Sequence, residues 1–303
     1  MAIKSVRVQI NGVWTNLSLQ NGKWTGSITA PSVTSHNLAG GYYPAQIEVT
    51  NDAGTVVTKD ATDAVLGTAL RLYVKETIKP VITLISPSAG ALVTNNKQGI
   101  KFKVTDETGG SGVNLSTILL RMDKTTYTAT STGMASTGIT NGYEFTFTPQ
   151  NTLTDGTHSI TINASDNDGN TATEVSATFK VDTVPPELTI TYPQTGLITN
   201  KASVVVSGKS NDITSSPVTV SIKLNGTSQG TVAVASDGTF DKEITLAEGT
   251  NTIVVTSTDS AGKATSITVA VKLDTSVPKI SSVALSPNPV NTSAGVAITI
   301  EVS

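Results

Sequence analysis

A short phrase recurs three times along this chain, each time at the end of an alternating run. It reads Glu48-Val49-Thr50-Asn51-Asp52-Ala53-Gly54, then Asn163-Ala164-Ser165-Asp166-Asn167-Asp168-Gly169, then Thr256-Ser257-Thr258-Asp259-Ser260-Ala261-Gly262. A β-like run precedes each copy: Ala45-Gln46-Ile47, Ser159-Ile160-Thr161-Ile162 and Ile253-Val254-Val255. A phrase that returns roughly every hundred residues marks tandem units rather than one large fold. The chain is therefore expected to be a string of similar β modules. That plan suits a spacer or scaffold better than an enzyme.

The junctions between the units resemble one another too. They read Lys75-Glu76-Thr77-Ile78-Lys79-Pro80-Val81-Ile82, Val181-Asp182-Thr183-Val184-Pro185-Pro186-Glu187-Leu188 and Leu273-Asp274-Thr275-Ser276-Val277-Pro278-Lys279-Ile280. Proline fixes φ and drives the residue before it toward extended backbone. Each junction thus reads as a short, stiff passage from the last strand of one module to the first of the next. A further proline follows in a new turn each time: Pro87, Pro193, and Pro287 with Pro289. Glycine- and serine-rich linkers would give free tumbling, whereas these joints predict a semi-rigid rod.

Three modules and a remainder result. Residues 1–77 carry strand-like runs at Ser5–Ile10, Trp14–Leu19, Trp24–Thr29, Ala45–Thr50, Thr55–Thr58 and Ala69–Val74, with hairpin signals at Asn11-Gly12 and Asn21-Gly22. Residues 78–183 carry six such runs, Val81–Ile85, Ile100–Val104, Thr117–Met122, Tyr143–Phe147, His158–Asn163 and Ser176–Val181. Residues 184–275 carry seven, Leu188–Tyr192, Ser203–Ser207, Val218–Leu224, Thr231–Val234, Thr239–Thr245, Asn251–Ser257 and Ser266–Lys272. Short alternating strands at this density fit an Ig-like sandwich, with the first module the most divergent. The predicted fold is all-β: tandem Ig-like β-sandwich modules arranged end to end as a semi-rigid rod. In residues 276–303, Ser282–Ser286 and Ala297–Val302 read as the first strands of an incomplete fourth module. Ala297–Val302 is expected to be either flexible or donated to a neighbouring sheet.

Composition narrows the function. Of 303 residues only 14% are Asp, Glu, Lys or Arg, and no window shows a capped helical period. The net charge of −3 leaves no electrostatic footprint for nucleic acid and no basic cluster for an anionic membrane. There is no cysteine, so disulfides, thiolate metal sites and a cysteine nucleophile are excluded. The N-terminal run Met1-Ala2-Ile3-Lys4-Ser5-Val6-Arg7 lacks the apolar core of a signal peptide, and nothing approaches the roughly eighteen apolar residues of a membrane span. Synthesis in the cytoplasm without export by the general pathway is the expectation.

Candidate chemistry is sparse. His36 falls in a polar loop and His158 near a strand start, and no residues are placed to join either in a nucleophilic site. Gly109-Gly110-Ser111-Gly112 lacks the lysine and helix of a phosphate loop and reads as a flexible turn. Asp166, Asp168 and Asn170 alternate in Ser-Asp-Asn-Asp-Gly-Asn, a spacing at which oxygen ligands can begin a calcium site, with Asp182 or Glu187 as further contributors. The full calcium loop would close at Ala177 rather than at a glutamate. A turn stabilised by Asx side chains is the preferred reading, no cofactor is assigned, and calcium is expected to make little difference. Trp14, Trp24, Tyr42 and Tyr43 concentrate aromatic surface in the first module and are candidates for docking or sugar contact, with core packing as the alternative.

The motifs Pro-(Pro)-x-Ile/Leu-x-Ile-x-x-Pro at module starts and Asp-x-Ala/Asp-Gly before the last strand resemble bacterial and phage Ig-like domains. Leu70-Arg71-Leu72-Tyr73-Val74-Lys75, Ile82-Thr83-Leu84-Ile85-Ser86-Pro87 and Ser286-Pro287-Asn288-Pro289-Val290-Asn291-Thr292 look more narrowly like multi-module Ig-like tail or baseplate proteins of prophages in Gram-positive bacteria. The resemblance implies a non-enzymatic structural protein of the virion. Other tail or baseplate proteins would be its partners, a host-surface glycan a further contact, and a homo-oligomer one arrangement. The alternatives are the stalk of a bacterial cell-surface adhesin, which is extracellular, and carbohydrate-binding accessory modules of a secreted hydrolase.

Overall fold

A computed structural model of the chain describes residues 2–303. It divides into two compact units, one ending at Val181 and one spanning Asp182–Ser303. Strands dominate. The helical elements among the described residues are two 3-10 turns, at Gly67–Leu70 and Leu115–Thr117. No helix of the described residues is long and apolar enough to cross a membrane.

The first unit opens with β1 (Ile3–Ile10), β2 (Val13–Asn16), β3 (Ser18–Gln20), β4 (Lys23–Thr25), β5 (Tyr43–Asn51), β6 (Val56–Asp60) and β7 (Arg71–Leu72). Asn11-Gly12 and Asn21-Gly22 take positive φ at both residues, the condition for a tight two-residue hairpin, and they join β1 to β2 and β3 to β4. One sheet forms in the order β2-β1-β5-β6, with β7 added to β5, while β3 and β4 make a separate two-stranded ribbon.

This is not the sandwich expected for residues 1–77. The run Trp14–Leu19 breaks at Leu17, whose N–H bonds to the Val6 carbonyl (2.9 Å), and Trp24–Thr29 shortens to β4. Ala69–Val74 begins inside a 3-10 turn and contributes only β7. Val6, Val8 and Ile10 of β1 pair with Val49, Ile47 and Ala45 of β5 as one apolar face, but among the described residues this segment forms no second sheet larger than the β3–β4 ribbon. Its buried core cluster is Ala45, Ala61 and Leu70.

Then follow β8 (Val81–Ser86), β9 (Leu92–Val93), β10 (Ile100–Thr105), β11 (Leu119–Met122), β12 (Thr125–Thr128), β13 (Met134–Ile139), β14 (Gly142–Phe147), β15 (Gly156–Asn163) and β16 (Val175–Val181). They form two sheets, β13-β14-β10-β8 and β12-β11-β15-β16-β9. Alternation explains them: Ile100, Phe102 and Val104 of β10 turn inward while Lys101 and Lys103 turn outward. Phe102 and Phe145 stack at 4.9 Å in the core between the sheets. β12 and β13 escape sequence reading because their faces are mostly solvated and their residues mostly Thr, Ser, Gly and Ala.

The second unit repeats the plan with β17 (Glu187–Tyr192), β18 (Leu197–Thr199), β19 (Ser203–Asn211), β20 (Thr219–Leu224), β21 (Thr227–Val232), β22 (Thr239–Thr245), β23 (Gly249–Thr258) and β24 (Ala264–Leu273). The sheets are β17-β19-β22 and β18-β24-β23-β20-β21. In both sandwiches the first strand pairs with the third, and a short second strand crosses to run parallel to the last. That is the Ig-like arrangement. The chain is thus an all-β protein of tandem Ig-like modules. Finally β25 (Ile280–Ser286) and β26 (Ala297–Val302) pair antiparallel with every residue exposed. Ala297–Val302 pairs with the strand just before it.

Candidate metal centres

The repeat brings carboxylates together where no single loop could. Asp106 follows β10, in the connection to β11, and Asp166 lies in the connection from β15 to β16. Glu76 enters from the junction that precedes β8. One oxygen from each of Glu76, Asp106 and Asp166 lies within 4.8 Å of the others. Asp106 is 7% exposed and Asp166 1%.

Backbone amides fix how these groups point. Asp166 Oδ1 accepts from Gly169 N (2.7 Å) and Asn170 N (2.9 Å), and its Oδ2 accepts from Asn170 Nδ2 (2.8 Å). Asp106 Oδ2 accepts from Gly112 N (2.7 Å), which leaves Asp106 Oδ1 buried with no partner. Glu107 Oε2, next along, is also buried and unpartnered. Burial and then the bond to Asp106 push the Glu107 carboxyl up to about 7. Burial and the contact with Asp166 raise Glu76. Burial pushes Asp166 upward as well, but its bonds from Asn170, Glu76 and Gly169 outweigh that and hold it below its usual value. Crowded carboxylates in a poorly solvated site resist ionising together unless a cation joins them.

The third module carries the same device. Asp182 comes from the junction before β17, Asp212 follows β19, and Asp259 follows β23. All three are buried, and one oxygen of each lies within 4.8 Å of the others. The interval from Glu76 to Asp106 equals that from Asp182 to Asp212. Asp212 Oδ1 accepts from Thr214 N (2.8 Å) and Ser215 N (2.7 Å). Asp182 accepts from Val184 N at one oxygen (3.2 Å) and from Ser215 Oγ at the other. Asp259 Oδ1 accepts from Lys263 N (2.9 Å), and Asp259 Oδ2 is buried without a partner. None of the ion pairs among the described residues involves either trio.

Both donor sets are all oxygen, with neither histidine nor cysteine, which is the chemistry of a hard cation such as Ca²⁺. In each, one carboxylate oxygen is anchored by backbone amides while another, Asp106 Oδ1 or Asp259 Oδ2, is buried without a partner. The residues fit such an ion. Asp274 stands at the corresponding place in the third junction, where it bonds Ser276 and Lys272 and is held down at about 2 by them.

The sequence reading placed the ligands differently. Asp168 does not join the trio: its Oδ2 accepts from Thr34 Oγ1 (2.5 Å) and from Glu76 N (3.0 Å). Asn170 turns its amide nitrogen to Asp166 and to the Glu76 carbonyl (3.1 Å). Asp182 serves the second trio rather than the first, and Glu187 opens β17 instead. An alternating run assumes that one loop wraps the ion, whereas here three separate segments meet. The glycine run is no free turn either. Ser111 is 3% exposed, donates to Glu76 Oε1 (3.3 Å) and accepts from Asp168 N (3.0 Å). Glu76, Asp106, Asp212 and Asp259 were missed. The signal was present in the Asp of the recurring phrase and in the acidic residue that precedes Thr in every junction.

The aromatic candidates fall in different elements with different neighbours. Trp14 lies in β2 under the Arg7 guanidinium (4.3 Å), while Trp24 lies in the ribbon opposite Leu19. Tyr42 meets Tyr73 edge-on at 6.1 Å, and Tyr43 is buried with its hydroxyl donating to the Val33 carbonyl (3.1 Å). His158 bonds Asp123 through Nδ1 and the Thr154 carbonyl through Nε2, both at 2.8 Å, so no ring lone pair is free to activate a nucleophile. His36 is exposed in a loop, as read from the sequence.

Known proteins share these modules. Residues 94–183 match the family model of a bacterial Ig-like domain, and residues 186–275 match that of glucodextranase domain B. Bacillopeptidase F of Bacillus subtilis (strain 168) is 33% identical over 129 residues, which are 43% of this chain but 8% of that protein. Among solved structures, a 1.5-MDa bacterial ice-binding adhesin aligns over 90% of this chain and 88% of its own, at 21% identity and a TM-score of 0.37. A tetra-tandem repeat from the extending region of a large adhesion protein aligns over 98% and 79%, at 16% identity and a TM-score of 0.36. The fold assignment rests on sheet topology and the two family matches. They define a multi-module Ig-like protein.

Proposed function

We propose that this chain is a structural, non-enzymatic spacer of a phage tail or tail-like particle, with junctions that take a hard divalent cation, calcium in the first place. The observation that carries the cation reading is the trio of carboxylates repeated at matching positions in successive modules, all buried except the half-buried Glu76, each trio with one buried oxygen that has no partner. The tail assignment rests on the junction and module motifs read from the sequence. Ig-like modules are typically non-catalytic, and both ring nitrogens of His158 are engaged. Other tail or baseplate proteins are the partners this reading calls for, with a host-surface glycan as a further contact.

Two measurements test the two halves. Calorimetric titration of the full chain with Ca²⁺ is expected to show two bound ions, falling to one in Asp212→Asn; absence of any binding removes the cation reading. Immunodetection across purified particles, cell envelope and culture supernatant is expected to find the chain in the particles. Recovery only with the envelope or with a secreted hydrolase selects the second reading, a surface stalk or accessory module. The likeness to a small part of Bacillopeptidase F and to a domain of glucodextranase favours that alternative.

A further inference from the structure

The N-terminal segment poses a stability problem. Residues 2–77 bury a core cluster of two alanines and a leucine, with Val8, Ile10, Tyr42 and Ile47 only half-buried against it, whereas the clusters of the second and third modules are built on Phe102, Phe145, Phe147 and Phe179 and on Phe240, Ile222 and Ile253. Apolar burial is the main favourable term in folding, at roughly 25 cal/mol per Å². A sheet with so small a core needs another source of order.

Its buried polar residues show where that order comes from. Thr34 and Ser35 are 1% and 3% exposed, on a loop with no strand of its own. Ser35 N donates to the Val74 carbonyl (2.8 Å), and Val74 N donates back to Ser35 Oγ (3.0 Å). Two residues after Val74 comes Glu76, a member of the first trio. From there the bonds to the second module converge on the loops that build the centre. Thr34 Oγ1 and Glu76 N both donate to Asp168 Oδ2. Lys75 Nζ donates to the Asp168 carbonyl (3.1 Å), and Asn37 Nδ2 to the Gly110 carbonyl (2.6 Å). Asn170 Nδ2 and Ser111 Oγ reach the carbonyl and carboxylate of Glu76.

We infer that a cation at the Glu76–Asp106–Asp166 centre is what keeps residues 2–77 folded against the second module, so that the N-terminal sheet is ordered by the ion more than by its own core. The inference rests on that centre taking a cation. Glu76 is the carboxylate that the N-terminal side contributes, and Asp106 and Asp166 belong to the sandwich. Without an ion their like charges repel Glu76 outward. Val74 and Lys75 move with it, and the Ser35 and Thr34 bonds are lost. With an ion the same charges draw Glu76 in and close the loop over Asp168. Loops in the second module are thereby converted into a binding surface for the first.

The chain carries its own probe, because both of its tryptophans, Trp14 and Trp24, lie in the N-terminal module. Thermal melts of the full chain followed by tryptophan emission report that module, while far-UV circular dichroism reports all the sheets. From chelator to millimolar Ca²⁺ the tryptophan midpoint is expected to rise by on the order of 10 °C. Asp106→Asn, a change within the sandwich, is expected to abolish that rise, and Asp212→Asn to leave it intact. Should Asp106→Asn lose its circular dichroism signal, Glu76→Gln decides in its place. If calorimetry shows that Asp106→Asn removes one ion while the wild-type tryptophan midpoint ignores Ca²⁺, the inference is overturned and the cation reading stands. A rise that persists in Asp106→Asn overturns it equally. If no ion binds, both fall together.

Discussion

His158 is held with each ring nitrogen facing an acceptor, the Asp123 carboxylate on one side and the Thr154 carbonyl on the other. Only the doubly protonated ring satisfies both. Burial alone would lower the imidazole, but these two bonds outweigh it and raise His158 above its ordinary 6.5. Burial would likewise raise Asp123, yet its bonds from His158 and Ser159 bring it below 3.8. A raised histidine stabilises fully below its unfolded value and loses that contribution as pH rises through its folded value. A lowered aspartate stabilises above its unfolded value and loses that as pH falls through its folded one. The pair is therefore most stabilising between about pH 4 and 6.5. Asp123→Asn suits the test, since asparagine tolerates the left-handed backbone at this position (φ 53°). The urea-stability gap between wild type and Asp123→Asn is expected to be wide at pH 5.5 and narrower at pH 8.5. A gap that widens with pH contradicts a charged His158. Sequence reading placed His158 near a strand start and went no further, because Asp123 reaches it across a sheet. Tyr43 shows the same limit: its buried hydroxyl bond depends on the Val33 loop.

Elements were legible where alternation was strong. β10, β15, β20 and β23 send one residue in two to the core, and each was read from its sequence. β12 and β13 lack that contrast, and β7 was overestimated because Ala69 and Leu70 turn before the strand begins. Two glycines separate backbone need from side-chain indifference within such strands. At Gly208 in β19 an added Cβ would sit 2.1 Å from the Thr189 carbonyl of β17 and 2.7 Å from the buried Phe240 ring. β17 departs from regular pairing beside it, between Ile190 and Tyr192. Gly208→Ala is expected to cost about 1–3 kcal/mol in urea unfolding, through displacement of β17. At Gly138 in β13 an added Cβ meets nothing within 4 Å. Gly138→Ala is expected to be neutral or stabilising by up to ~1 kcal/mol. Equal effects at the two positions would show that the close approach at Gly208 does not constrain the strand.

At the scale of the whole molecule, repetition was readable and convergence was not. The recurring Asp-containing phrase and the acidic junctions each announced a module. Antiparallel pairing of the first and third strands sets the junction beside the turn after the third, and the recurring phrase, before the last strand, meets them from the opposite sheet. A similar consequence follows from the short strands that run parallel to their module's final strand. β9 meets β16 through Lys180 N to the Ala91 carbonyl (2.8 Å) and Gly90 N to the Thr178 carbonyl (2.7 Å). β18 meets β24 over Leu197–Thr199, extended by Asp274 N to the Thr199 carbonyl (2.9 Å). Tension applied to the two ends of a module pulls these neighbours in opposite directions along a shared axis. Their hydrogen bonds are then loaded side by side and must yield together, whereas the β25–β26 hairpin opens one bond at a time. In single-molecule pulling, both sandwiches are expected to give discrete rupture events, the longer β18–β24 patch at the higher force, with no resolved event from the hairpin. A chain of such modules carries load as a tether does, and its weakest link is set by a few bonds between strands that never pair in a hairpin.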